Sequence, residues 1–208
     1  MTVGVKYTSI SWLRKNEQTA IDETIAMMSY NPSIGRVLRS GGVDIFRKIA
    51  VKKIGRLNTM KTQRDFDKFH NNFVRDVMKK IKRTSKKKKI HYGHGQKPVN
   101  VFLKVYVDWL SYPNRKIADR IRGFLHVPLD KWVMGYMKKE RAKEYKRIVM
   151  PFYKDKNIRP SNFSLAIIEE DMYEAWQELF RKIYPKKPLL FDVIWARAPR
   201  KEKRDSVR

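Results

Sequence analysis

Residues 62–83 read TQRDFDKFHNNFVRDVMKKIKR, and this stretch decides the fold class. Its large apolar residues recur every three or four positions, at Phe66, Phe69, Phe73, Val77 and Ile81. This is the spacing of one face of an α-helix. Basic residues occupy the other sides of the helix. The pattern therefore predicts a helix that packs through its phenylalanines and exposes lysines and arginines.

Capping residues, glycines and prolines divide the rest of the chain into further helices. A side-chain acceptor before an apolar repeat favours a helix start, and proline disfavours helical geometry in the residue before it. Helix starts are predicted at Ser33, Asp44, Pro98, Asn114, Asp130 and Ser161 or Ser164, and breaks at Asn31-Pro32, Gly41-Gly42 and Pro185. The sequence thus predicts an all-α fold, a single compact domain of about seven or eight helices over residues 1–196. Residues 189–196 are predicted to form a short strand or a docked apolar segment, and residues 197–208 a basic tail.

The composition of the chain combines a packable core with a large excess of positive charge. Hydrophobic residues make up 42% and aromatic residues 12% of the 208 residues, which is enough to bury a core. Lys and Arg number 48 against 21 Asp and Glu, a formal net charge of +27. The absence of cysteine excludes disulfides and thiolate metal sites. Many lysines with no cysteine also suit a protein of a hot environment.

The charge excess predicts a polyanionic partner. Phosphate backbones and anionic membranes are the partners that neutralise so many cations. No run of about twenty apolar residues is present, and residues 1–10 lack the layout of a signal peptide. Nucleic acid is therefore the expected partner, a membrane is not, and an acidic protein partner is the alternative. The expected location is cytoplasmic or nucleoid-associated, or the virion for a viral protein.

The positive charge is concentrated between Lys61 and Lys97, where thirteen Lys and Arg face three Asp, a net charge of +10. The predicted last helix is acidic instead, so we expect it to face away from the bound polyanion. The residues predicted to contact nucleic acid follow helix 62–83 and continue into the next one: Lys79, Lys80, Lys82, Arg83, Lys86, Lys87, Lys88, Lys89, His91, Tyr92, His94, Gln96, Lys97, Asn100 and Lys104.

Two polar features within that set have alternative interpretations. Gln96, Asn100 and Lys104 are four residues apart and share one side of a helix, which faces either a ligand or a neighbour's carbonyl groups. Segment 91–95, HYGHG, is predicted as a turn whose backbone N–H groups approach phosphate. Its two histidines lack nearby third and fourth ligands, so neither a metal site nor a cofactor is predicted.

Aromatic residues near the basic region offer a further means of binding unpaired bases. Tyr92, Trp109 and Tyr112 could stack on bases, as aromatic side chains do in single-strand-binding proteins. Trp109 lies in an apolar stretch, so burial in the core is the favoured interpretation for it.

Two patterns resemble known families. Arg120-Ile-Arg-Gly-Phe-Leu-His126 resembles the Arg-x4–6-His motif of the HEPN superfamily, many of whose helical members are metal-independent ribonucleases. That resemblance implies an acid–base role for His126 and stabilisation of a charged phosphate by Arg120. The polar residue that usually follows the arginine is Ile121 here.

The second resemblance covers residues 92–130. Tyr92-Gly93-x-x-Gln96-Lys97-x-x-Asn100-x-x-Leu103-Lys104, followed by His126-x-Pro128-x-Asp130, is similar to a family of small, mostly helical prokaryotic proteins with no established activity. The resemblance supplies positions and a helical fold, and no function.

The function expected from the sequence is non-enzymatic binding of nucleic-acid backbones with low sequence specificity, as in a structural nucleoprotein or coat component. A coat role would also require self-association, so homo- or hetero-oligomers are compatible with it. The alternatives are a ribonuclease that uses Arg120 and His126, and an interaction module for an acidic protein. The sequence leaves DNA and RNA equally open.

Overall fold

The structure is a computed structural model that describes residues 10–28, 32–81, 90–159 and 161–191. All regular secondary structure within these ranges is helical, so the predicted all-α class is confirmed. The helices are α1 Ile10–Met28, α2 Pro32–Lys53, α3 Gln63–Lys80, α4 Tyr92–Leu103, α5 Arg115–Ile121, α6 Lys131–Glu140, α7 Ala142–Ile148, α8 Met150–Asp155 and α9 Glu170–Ile183. Short 3-10 segments cover Ile54–Thr59 and Arg122–Phe124, and a π-helical segment Lys104–Trp109 extends α4.

Helix α3 forms as the phenylalanine spacing predicts. Thr62 begins it, accepting a hydrogen bond from the backbone N–H of Asp65, whose carboxylate accepts one from the backbone N–H of Thr62. This reciprocal arrangement satisfies two of the N–H groups that a helix start leaves without partners. Phe66, Phe69 and Phe73 are fully buried on the inner face of α3.

Helix α4 lies at the centre of the molecule. It packs against α1, α2, α3 and α9, and most of its residues are buried. Aromatic rings join these helices, with Phe102 of α4 5.5 Å from Phe46 of α2 and 6.2 Å from Phe73 of α3 between ring centroids. A helix covered on so many sides leaves most of its polar residues without access to water.

Helix α9 joins this core to the α6–α8 part of the chain. Its Trp176 lies 5.4 Å from Tyr145 of α7, and its Phe180 lies 5.0 Å from Phe191, between ring centroids. Leu189 and Phe191 are both buried, so the described part of the predicted 189–196 segment docks on the core. Leu190 and Phe191 are helical, not extended. The rest of that segment and the predicted tail 197–208 lie outside the described residues.

Two of the predicted helix starts are confirmed as caps. Asn114 accepts from the N–H of Ile117, and Asp130 accepts from those of Trp132 and Val133. Helix α9 ends at Ile183, before Pro185, as predicted.

Other predicted boundaries were wrong. Helix α2 runs through Gly41 and Gly42, with Asp44 in its interior. Gly41 has a positive φ of 75°, a conformation that glycine adopts without strain, and the helix continues past it. The helix predicted from Asp130 to about residue 149 is divided at Arg141 into α6 and α7. The last helix begins at Glu170, several residues after Ser161 and Ser164.

The start of α4 also differs from the prediction. The helix begins at Tyr92, so Pro98 lies inside it and segment 91–95 enters its first turn. Gly93 is needed there for close packing, since its N–H donates to the Ile168 carbonyl at 2.9 Å and a Cβ would lie 2.3 Å from the Leu165 carbonyl oxygen. Tertiary packing, and not phosphate access, accounts for this glycine.

Candidate functional site

A buried network of polar side chains is centred on Asn100 of α4. The Asn100 amide nitrogen donates to Gln96 Oε1 at 2.7 Å and to the Tyr173 hydroxyl at 2.8 Å. Its amide oxygen accepts from His70 Nε2 at 2.6 Å. Asn100 therefore has strong partners on both ends of its amide, which is what a buried amide requires.

The network also holds the extended segment 125–130 in place. From α4, Gln96 donates to the Leu129 carbonyl at 3.3 Å and accepts from the Leu129 N–H at the same distance. From α9, Gln177 accepts from the N–H of Val127 and donates to its carbonyl, both at 2.9 Å. These paired bonds replace the backbone partners that segment 125–130 lacks, and so they fix the position of His126.

A chain of hydrogen bonds leads from Asn100 to the protein surface. The His126 Nδ1 atom lies 2.9 Å from the Tyr173 hydroxyl, and its Nε2 atom lies 2.7 Å from Asp67 Oδ1. Because a carboxylate only accepts, His126 carries its hydrogen on Nε2, and Tyr173 donates to Nδ1. Asn100 thus donates a hydrogen bond to Tyr173, Tyr173 donates one to His126, and His126 donates one to Asp67.

Burial keeps the groups of this chain neutral except at its outer end. It lowers the pKa of His126 below its ordinary value and that of His70 to about 3, and it raises the pKa of Tyr173 well above its ordinary value. Burial also opposes ionisation of Asp67, but hydrogen bonds from His126 and Gln63 lower its pKa on balance. The network therefore ends in a carboxylate that is charged at neutral pH.

Asp67 and His126 line a cavity of about 360 Å³ between α3, α8 and α9. The other residues that line it are Asn71, Phe152, Asp171, Glu174, Ala175, Gln177, Glu178 and Arg181. We call its four carboxylates, those of Asp67, Asp171, Glu174 and Glu178, the acidic seam. Among the described residues that line the cavity, Arg181 is the one with a permanent positive charge, so the cavity disfavours anions.

The arginine beside His126 is Arg181 and not Arg120. Arg181 Nη1 lies 3.3 Å from His126 Nε2 and 3.6 Å from Asp67 Oδ1. Arg120 is exposed and donates to the carbonyl of Asn58 at 2.7 Å. The Arg-x5-His spacing therefore places Arg120 and His126 in different hydrogen-bonding environments.

Five residues predicted to contact nucleic acid are buried in the structure: Tyr92, Gln96, Lys97, Asn100 and Lys104. Lys97 Nζ pairs with Asp130 Oδ2 at 2.9 Å, and Lys104 Nζ lies 4.8 Å from the centroid of the Trp109 ring. Tyr92 donates to Asn71 Oδ1 at 2.7 Å. Their side of α4 faces neighbouring helices, so the packing alternative for the Gln96, Asn100 and Lys104 stripe is the one the structure supports.

The remaining predicted contact residues lie on the surface or outside the described ranges. Lys79, Lys80 and His91 are exposed and His94 is half-buried. Lys82, Arg83, Lys86, Lys87, Lys88 and Lys89 lie outside the described residues. Among the residues that the structure describes, no group of three His, Asp or Glu could hold a metal ion.

Helix α3, which precedes that lysine run in the sequence, carries a row of exposed cations. Arg64, Lys68, Arg75 and Lys79 are four, seven and four residues apart, which keeps them on one side of the helix. We call them the α3 basic row. Arg75 is held by Glu170 of α9, with its Nη2 2.7 Å from Glu170 Oε1.

A second basic surface was missed in the sequence. Exposed cations cover the end of α6, the turn at Arg141 and the outer side of α7, at Lys139, Arg141, Lys143, Lys146 and Arg147; we call them the α7 basic face. Lys146 and Arg147 follow Lys143 by three and four residues, and all three lie opposite the buried Tyr145 and Ile148. This periodicity could have predicted the second basic surface from the sequence. The denser lysines of residues 79–89 drew the prediction to that region instead.

Trp109 also differs from its prediction. Its side chain is 43% exposed, because α4 gives way to the π-helical segment Lys104–Trp109 and the last residue of that segment reaches the surface. Tyr112 is half-buried and donates to Glu23 Oε2 at 2.7 Å.

Sequence reasoning did not single out Asp67, Tyr173, Gln177 or Arg181. His70 offered a signal, because it interrupts the apolar face of α3 between Phe66 and Phe73. Gln177 offered another, one residue from Trp176 on the apolar side of α9. Polar residues at core positions predict a buried network but do not reveal their partners.

Comparison with protein-family models, curated proteins and solved structures finds no match to this chain. In the described parts of the chain, no helix combines the length and apolar character needed to cross a bilayer.

Proposed function

We propose that this protein binds nucleic acid through its backbone phosphates, with little sequence specificity. The observation that carries the proposal is the exposure of two ordered groups of cations, the α3 basic row and the α7 basic face. Lysine and arginine side chains contact phosphates without reading bases. Regular spacing along a helix suits a polymer whose charges also repeat.

The internal ion pairs strengthen this argument. Several carboxylates form ion pairs with buried or half-buried cations of the protein: Asp22 and Asp44 with Arg47, Asp76 with Lys53, Asp108 and Asp119 with Arg122, and Asp130 with Lys97. In these contacts the less numerous acidic residues balance cations that are at least partly removed from water. These ion pairs do not reduce the net charge of +27, so the excess positive charge is carried by other lysines and arginines.

A salt titration of binding tests the proposal. Fluorescence anisotropy would be measured with labelled duplex DNA, duplex RNA and single strands of mixed sequence. Neutralisation of roughly six to ten phosphates would weaken binding by about 10³–10⁵ between 50 and 200 mM salt. Absence of binding to all three probes at low salt would refute the proposal and favour an acidic protein partner.

Charge removal in the lysine run tests the backbone-contact model. Replacing Lys86, Lys87, Lys88 and Lys89 by glutamine should weaken binding by a similar factor for every probe sequence and reduce the salt dependence. A loss confined to one sequence would contradict contact with the backbone alone. The matched control replaces Lys52, Arg56, Lys186 and Lys187, four exposed cations that are not among the predicted contact residues.

A ribonuclease is the second candidate function, because Arg181, His126 and Asp67 meet at the wall of a cavity. In such a site His126 would transfer a proton and Arg181 would stabilise charge on phosphate. The acidic seam counts against phosphate entry. RNA cleavage by the wild type that is lost in Arg181→Gln, and retained in Arg120→Ala, would favour this candidate. His126→Ala should then be inactive as well, provided that its circular dichroism spectrum is unchanged.

A further inference from the structure

The helices that carry the two basic surfaces pack on opposite sides of α9. On one side, Glu174 of α9 accepts a hydrogen bond from the amide of Asn71 of α3 at 2.9 Å. Trp176 lies two residues further along α9, about 200° around the helix, and packs on Tyr145 of α7 with ring centroids 5.4 Å apart. Helix α9 thus separates the helix that carries the α3 basic row from the helix that carries the α7 basic face.

Between α3 and α8, the exposed side of α9 is negatively charged. The acidic seam lines the cavity between α3, α8 and α9, and its residues Asp171, Glu174 and Glu178 are exposed along α9. Arg181 and the nearby Lys156, which pairs with Asp171 at 3.1 Å, offset only part of this charge. At about 0.1 M salt, charges within about 10 Å of each other still interact, so a phosphate chain that crosses the seam is repelled.

The carboxylates around the seam are fixed in position. Glu170 accepts from the guanidinium of Arg75, and Glu174 accepts from the amide of Asn71 at 2.9 Å. Both bonds join α9 to α3 across 95 and 103 residues of sequence. The tertiary structure therefore holds these carboxylates in defined positions along α9.

We propose that the protein holds two nucleic-acid segments at once, one on the α3 basic row and one on the α7 basic face. This inference rests on the proposed function and specifies it further. Two patches of one charge, separated by a fixed strip of the opposite charge, favour two separate anionic segments over one continuous segment. Bridging of two segments is the activity that results.

A capture assay with duplex DNA tests this inference. A short biotinylated duplex is immobilised on beads, the full-length protein is added, and unbound protein is washed away. A fluorescent duplex of the same sequence is then supplied in solution. Retention of protein on the beads reports binding of the first duplex, and retained fluorescence reports capture of the second.

Two matched triple variants separate the surfaces. The row variant carries Arg64→Gln, Lys68→Gln and Lys79→Gln, and the face variant carries Lys143→Gln, Lys146→Gln and Arg147→Gln. All six side chains are exposed, so the folds should be retained, as thermal melting can verify. Each variant removes the same number of charges, so a general loss of positive charge is controlled.

The wild type should capture the second duplex, and each triple variant should retain binding to the first duplex while its capture falls at least tenfold. Combining all six substitutions should abolish both. Unchanged capture by the face variant would overturn the inference, since bridging would then arise from two copies joined elsewhere. Parallel losses of binding and capture would also overturn it, because they indicate one continuous surface.

Failure of the proposed function has a different signature. A wild type that binds no immobilised duplex and none of the three anisotropy probes at low salt refutes nucleic-acid binding as a whole. A wild type that binds the first duplex and captures no second one refutes only bridging.

Discussion

Lys97 of α4 and Lys104, the first residue of the π-helical segment that extends α4, contrast with Lys143 and Lys146 of α7. Lys97 and Lys104 are 3% and 9% exposed, and each contacts a specific partner, Asp130 or Trp109. The two lysines of α7 are exposed to solvent. The sequence gives all four the same charge, and only the exposed pair is accessible to a polyanion. Charge density along a sequence therefore predicts the kind of partner but not which cations meet it.

The cause of the contrast lies in how many sides of each helix are covered. Helix α4 packs against four other helices, so its polar residues must find partners within the protein. Helix α7 buries only one side, against α6, α8 and α9, and its opposite side stays hydrated. Substitutions in the α4 network should therefore affect stability, and those on α7 should affect binding.

The largest expected effect comes from Asn100→Ala. The substitution removes partners from His70, Gln96 and Tyr173, and each unsatisfied buried group costs about 1–3 kcal/mol. We expect the free energy of unfolding to fall by roughly 3–5 kcal/mol in urea denaturation. A loss of under about 1 kcal/mol would show that water enters the site and replaces the asparagine.

Lys97→Met tests the contrast directly. It leaves Asp130 without its cation, and breaking a buried ion pair typically costs about 3–5 kcal/mol. Because the Asp130 side chain is 34% exposed and still caps α6, we expect a smaller loss of about 2 kcal/mol. Lys143→Met is the matched control and should change stability by less than about 0.5 kcal/mol. Equal effects of the two substitutions would remove the distinction between the two helices.

Gly93→Ala tests whether the glycine serves packing. The added Cβ would lie 2.3 Å from the Leu165 carbonyl oxygen and 2.8 Å from Ile168 Cβ. The backbone would have to move, and such overpacking costs about 1–3 kcal/mol. Gly35→Ala in α2 is the control, since nothing lies within 4 Å of its Cβ and alanine favours the helix. Loss of duplex binding by Gly93→Ala without loss of stability would favour a phosphate contact instead.

Acidification should weaken the network because its histidines are neutral in the fold. The pKa of His70 is lowered to about 3 and that of His126 is also lowered, so the unfolded chain takes up protons first as the pH falls below about 6.5. The free energy of unfolding should fall by up to about 1.4 kcal/mol per pH unit for each histidine. Urea denaturation between about pH 7 and pH 5 measures this slope, above the range in which Asp67 titrates. A flat profile would mean that the histidines are charged or hydrated in the fold.

The extent of sequence-based prediction follows from the range of the interactions involved. The capping residues Asn114 and Asp130 and the apolar face of α3 were predictable, because their signals lie within a few residues. The start of α4 was not predictable, because Gly93 packs against Leu165 and Ile168, which are more than 70 residues away in the sequence. The burial of Gln96 and Asn100 was left as one of two alternatives, because their spacing is the same in either environment.

By itself, the sequence determined the all-α class, the position of α3 and the excess of positive charge, and with that excess the expectation of a polyanionic partner. The tertiary structure alone decided that Asp67, His126 and Tyr173 form one chain of hydrogen bonds, across separations of 59 and 47 residues. It also decided that four carboxylates from α3 and α9 meet at one cavity. Periodicity records which side of a helix is apolar, and only the packing of helices determines which polar side chains meet and which cations remain in water.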